Sequence, residues 1–248
     1  MTEPRYLTNA PITEALFDIR VKSRSDFTVT KFSDLKAKLK DRFPEVQERY
    51  GSKFKLQLKP NVKPTTSLEN IGLQGYFFKS ETENLIAQFR IDGFTLNKLK
   101  PYTNWDELFP TALELWEQYC SIAEPEAVTR QALRYINHIP IKSEFVDLDD
   151  YLRVAPKIPP ELPQSLDAFI SRVTIVDGKN SVAARVVQAG ERKLGQFGLT
   201  IILDIDAFIQ VDISPGDRVL VENFYQLRKF KNKIFFNYLT DKTLGLLE

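Results

Sequence analysis

From Glu14 to Lys22 the chain alternates. Ala15, Phe17, Ile19 and Val21 form one set, and Glu14, Asp18, Arg20 and Lys22 the other. That period of two predicts a half-buried strand. Phe32, Leu35, Leu39, Phe43, Val46 and Tyr50 then recur at helical spacing. They predict an amphipathic helix with Ser33 as N-cap, kinked or broken at Pro44. Alternation returns at 53–59, and a polar, proline-bearing loop is expected from Asn61 to Asn70. Leu73–Lys79 and Leu85–Asp92 read as strands paired through the turn Ser80–Asn84, with a further short strand after Gly93. Asn104 and Glu107 have capping-box spacing and open a helix over 104–122, with Leu108, Ala112, Leu115, Trp116 and Tyr119 on its apolar stripe.

A second half begins at Pro125. Val128–Ile141 is extended, Leu148–Val154 reads as a short helix, and Pro156, Pro159, Pro160 and Pro163 make a semi-rigid connector. Phe169–Val176, Ser181–Ala189 and Phe197–Phe208 read as strands, the first two joined by an Asp177-Gly178 hairpin turn. Gly190 and Gly195 flank a charged hairpin loop, and a long helix over 217–239 closes the chain. Strand-rich runs each closed by a helix predict an α+β fold, with an antiparallel-dominated sheet and long helices on one face. The halves, 1–124 and 125–248, repeat one organisation with little shared sequence and are expected to form one integrated unit. The duplicated β-α-β4-α order resembles the saddle of the TATA-binding-protein fold, which implies architecture and no function.

Composition narrows the picture. The chain has 248 residues, 34 Lys and Arg against 33 Asp and Glu, one His and one Cys. The near-neutral balance gives no global pull toward nucleic acid or anionic membrane. No run reaches the apolar length of a membrane span, and no signal peptide is visible, so a cytoplasmic, non-membrane protein is expected. Cys120 is expected to be a packed thiol, not a nucleophile. With one His and one Cys no zinc cluster can be assembled; a Ser-His-Asp triad could use only His138, and no Gly-x-Ser-x-Gly elbow is present; nucleotide-binding glycine motifs are absent. No cofactor is implied.

The charges on the strands carry the functional reading. Arg130, Arg134 and His138 share one face of their strand; Asp204 and Asp206 share one face of theirs; Arg20, Arg90, Asp92 and Arg185 fall on polar faces too. With helices over the apolar face, Arg20, Arg90, Arg130, Arg134, Asp204 and Asp206 are the candidate binding residues. The face is either a solvated surface laced with cross-strand ion pairs, or a concave recognition surface on which arginine forks hold phosphate or carboxylate. Lys36, Lys38, Lys40, Lys229, Lys231 and Lys233 are expected on solvated helix faces.

Several segments together look familiar. They are Asn9-Ala10-Pro11-Ile12 with Glu14-Ala15, Asp92-Gly93-Phe94, Pro101-Tyr102 with Trp105, Leu133-Arg134-Tyr135-Ile136-Asn137, Leu203-Asp204-Ile205-Asp206, and Ile234-Phe235-Phe236 with Leu239-Thr240-Asp241. Their order resembles a sporadically distributed family of uncharacterised bacterial and archaeal proteins of about this length. The resemblance implies a prokaryotic cytoplasmic protein and brings no catalytic residues; patchy distribution is associated with defence or toxin–antitoxin systems. The leading expectation is a non-catalytic binding protein whose partner is another protein. Nucleic-acid or nucleotide binding through the arginine face is the alternative, and a metal-dependent enzyme using Asp204 and Asp206 the third.

Overall fold

A computed structural model describes residues 7–57, 65–143, 146–164, 166–192 and 198–248. Nine strands form one sheet among these residues: β1 (Ile12–Lys22), β2 (Glu45–Gln57), β3 (Thr65–Ser80), β4 (Leu85–Arg90), β5 (Gly93–Leu99), β6 (Ala127–Ile141), β7 (Ala168–Asp177), β8 (Val182–Glu191) and β9 (Leu199–Ile213). Their spatial order is β2-β3-β4-β5-β1-β6-β9-β8-β7. Each neighbouring pair is antiparallel. The fold is therefore α+β on a large antiparallel sheet. β1 and β6 lie side by side at its centre, and the sheet runs unbroken from one half of the chain to the other.

Period-two alternation puts Ala15, Phe17, Ile19, Phe89, Phe94, Leu133, Tyr135, Ile201, Leu203 and Ile205 on one buried face. The helices α2 (Trp105–Ala123) and α3 (Val219–Tyr238) cover it. Phe17 joins them, with its ring 5.8 Å from Phe109 of α2 and 5.5 Å from Phe224 of α3. Phe109 and Phe224 also meet edge-on at 5.7 Å, so the helices touch each other as well as the sheet. Asn104 caps α2 by accepting from the Glu107 amide at 2.9 Å. A short helix, α4 (Asp241–Gly245), follows α3. No helix among the described residues is long and apolar enough to cross a membrane.

Several local expectations change. The helix read from Phe32 to Tyr50 is a 3-10 turn, Val29–Asp34, and one helical turn, α1 (Leu35–Lys38). Ser33 lies within the 3-10 turn and caps nothing. The stripe Phe32, Leu35, Leu39 and Phe43 is buried as read. Pro44 then ends the helical path outright, since it cannot donate and crowds the preceding turn. Beyond it Val46 and Tyr50 belong to β2, paired to Phe78 and Leu73. Residues 65–70, expected in a loop, extend β3; 61–64 lie outside the described residues. Leu148–Val154 supplies only a 3-10 turn, Leu148–Asp150. Of the loop expected between Gly190 and Gly195, Gly190 and Glu191 belong to the end of β8; 193–197 lie outside the described residues.

Candidate functional site

Among the described residues no helix covers the opposite face of the sheet, and strand parity brings the six candidate residues to it. Arg20 stands opposite Arg130 across β1 and β6. Arg134, Asp206 and Arg185 stand opposite one another across β6, β9 and β8. The turn between β4 and β5 brings Asp92 to the same place. Gly93 allows this with φ +147, where a Cβ would sit 2.1 Å from the Ile19 carbonyl oxygen.

These charges engage one another. Arg134 donates to Asp204 through Nε at 2.9 Å and Nη2 at 2.6 Å, a two-pronged fork. Arg130 donates to Asp18 at 3.1 Å and reaches both carboxylate oxygens of Asp206, at 3.2 and 3.1 Å. Arg185 donates to Asp206 at 3.2 Å. Arg20 donates to Asp18 at 3.1 Å and also pairs with Asp92. Arg90 is only 4% exposed. It donates to Asp18 at 2.9 Å, to Asp92 at 3.1 Å and to the Thr95 hydroxyl at 2.6 Å.

Asp18 is the hub. Burial acts to raise its carboxyl, but the Arg90 and Arg20 guanidiniums and the Thr95 hydroxyl outweigh it and hold it below the ordinary carboxylate range. Hydrogen bonding to Asp204 raises the Arg134 guanidinium despite partial burial. A shallow concavity of about 460 Å³ lies over this network, floored by Leu16, Ala132 and the paired charges. The structure thus brings all six predicted residues to one face. Each arginine of the set already has a carboxylate, and Asp204 and Asp206 each hold an arginine. Among the described residues, no group of three or more His, Cys, Asp or Glu is placed to hold a metal ion.

Burial pushes the Cys120 thiol up to about 12, helped by the Glu117 carboxylate, as suits a packed thiol. His138 is exposed on the open face.

Two features escaped the sequence reading. Among the described residues, β7 ends the sheet and pairs only with β8. Its Ile170 and Val176 are 78% and 72% exposed on the open face, and Val173 is 44% exposed on the other. The signal was present, because Phe169–Val176 is apolar at both parities. The second feature is Lys231. Expected on a solvated face with Lys229 and Lys233, it is instead buried on the inner stripe of α3, between Leu227 and Phe235.

The chain finds no match among protein-family models, curated proteins or solved structures.

Proposed function

We propose that this chain is a non-catalytic binding protein whose partner is another protein, which adds a strand to β7. The supporting observation is the character of that edge. It is 10 residues long, with Arg172 as its one charge before the terminal Asp177. A long apolar edge with free backbone donors and acceptors is a template for strand addition. The opposite edge, β2, carries Glu45, Glu48, Arg49 and Lys53, the charges that guard an edge against pairing. The arginine cluster gives nucleic acid less to hold, since Arg20, Arg90, Arg130, Arg134 and Arg185 are each already paired with a carboxylate. A defence or toxin–antitoxin setting, implied by the resemblance, belongs to the same proposal.

A duplicated, saddle-like motif is the finer reading of the fold. Outward from the centre the order is β1-β5-β4-β3-β2 on one side and β6-β9-β8-β7 on the other. Each meander ends in a long helix, and β2 is then an addition to the first half. Superposing β1, β3, β4, β5 and α2 on β6, β7, β8, β9 and α3 tests it.

For the binding reading, the test is capture from native-host extract by the wild-type chain and by Ile170→Lys/Val176→Lys. A partner retained by the wild type and lost by the variant, with melting unchanged, is expected. Equal retention by both would remove β7 as the site.

A further inference from the structure

A cavity of about 290 Å³ lies between the first turn of α2, β6 and α3. Tyr102, Trp105, Tyr135, Arg228, Lys231 and Phe235 are among its walls. Lys231 is 9% exposed. Its Nζ lies 3.7 Å from the centre of the Tyr135 ring. Among the described residues no carboxylate pairs with it.

That placement is costly. Taking an ammonium out of water costs more than one desolvated cation–π contact returns. Burial, with the Arg228 cation adding to it, pushes the amine down to about 7. Two further groups fit an incomplete site. Among the described residues, the buried Trp105 indole nitrogen has no hydrogen-bond partner. The Arg228 guanidinium lies 4.9 Å from the Trp105 ring centre. The Tyr102 and Tyr135 hydroxyls share a hydrogen bond of 2.9 Å.

We propose that this cavity binds a small planar carboxylate, its anionic head on Lys231 and Arg228 and its flat body between the aromatic walls. The charges favour a monoanion. Among the described residues of the lining Asp106 is the one acidic side chain, so with Lys231 protonated the wall carries a single net positive charge. A hydrated dianion such as phosphate would lose more solvation between these rings than one surplus charge returns. Aromatic faces and a few convergent polar groups are the usual make-up of a small-molecule site.

Calorimetric titration of the full chain tests this with benzoate, its neutral isostere benzamide, and inorganic phosphate. Benzoate is expected to bind, and benzamide and phosphate to bind at least about tenfold more weakly, which corresponds to about 1.4 kcal/mol. Lys231→Met, close in shape, should fold and lose the preference for benzoate over benzamide. A second measurement needs only the wild type. The free amine titrates near 7, so a carboxylate bound above that pH must draw a proton onto Lys231. Affinity should then fall from pH 6 to pH 9, with net proton uptake at pH 8. Tyr102, Tyr135, Arg228 and Asp106 are the other titratable or charged groups that face the cavity. No benzoate binding, equal binding of benzamide, or pH-independent affinity would overturn the proposal.

Discussion

Arg134 and Asp204 face each other from β6 and β9, and the guanidinium grips the carboxylate through two hydrogen bonds of 2.9 and 2.6 Å. The pair sits at the open edge of the charge network, with the Arg134 side chain 43% exposed. Solvent screens such a pair, so Arg134→Ala should cost under about 1 kcal/mol, read from denaturant unfolding. A loss several times larger would mean the pair organises more of the sheet than its contacts indicate.

Asp18 should behave differently, because it receives Arg20, Arg90, Arg130 and Thr95 together. Asp18→Asn leaves the buried Arg90 short of a carboxylate, and a cost of about 3 kcal/mol is expected. The folded-state carboxyl is held below its ordinary 3.8. Its contribution is therefore fully present above that value and is lost as pH falls through the folded pKa. Acid unfolding of the two proteins should converge at low pH. A difference that persists to the lowest pH would point to packing instead of charge.

Lys231→Met should raise stability without any ligand, by a few kcal/mol near pH 6. The folded amine sits near 7 against an ordinary 10.5. The folded state thus binds fewer protons between those values, and wild-type stability rises with pH across that window. The advantage of the variant should be greatest below pH 7 and shrink toward pH 10. A variant less stable than the wild type at pH 6 would contradict the unpaired-cation account.

Much of this was legible in the chain. Strand parity alone placed Arg130, Arg134, Asp204 and Asp206 on one face, because a period of two leaves no freedom once the apolar set is buried. The cap at Asn104 and both long helices were legible for the same kind of local reason. Pairing between the charges was not, since it depends on register across β1, β6 and β9. Pro44 was read as a kink or a break and is a break; Val46 and Tyr50 continue the helical spacing by coincidence, and pairing with β3 puts them in a strand. Lys231 occupies a stripe position four residues after Leu227, but its charge led to a solvated assignment. Ala10, Tyr102, Trp105, Tyr135, Asn137 and Phe235 stood out as separate segments of the resemblance, and only the fold makes them walls of one cavity.

Cys120 should resist alkylation. With its thiol near 12, almost no thiolate exists at pH 8, so iodoacetamide should label it only on unfolding. Rapid labelling of the native protein would contradict that.

The proposed partner adds a strand to β7. Amide hydrogen exchange, followed by mass spectrometry on the free chain and on its complex with the captured partner, tests it most directly. Peptides covering Ala168–Asp177 should exchange readily when free, because only β8 pairs with them, and become protected in the complex, while β2 is unchanged. Protection that appears elsewhere and leaves β7 exchanging as in the free chain would contradict the account.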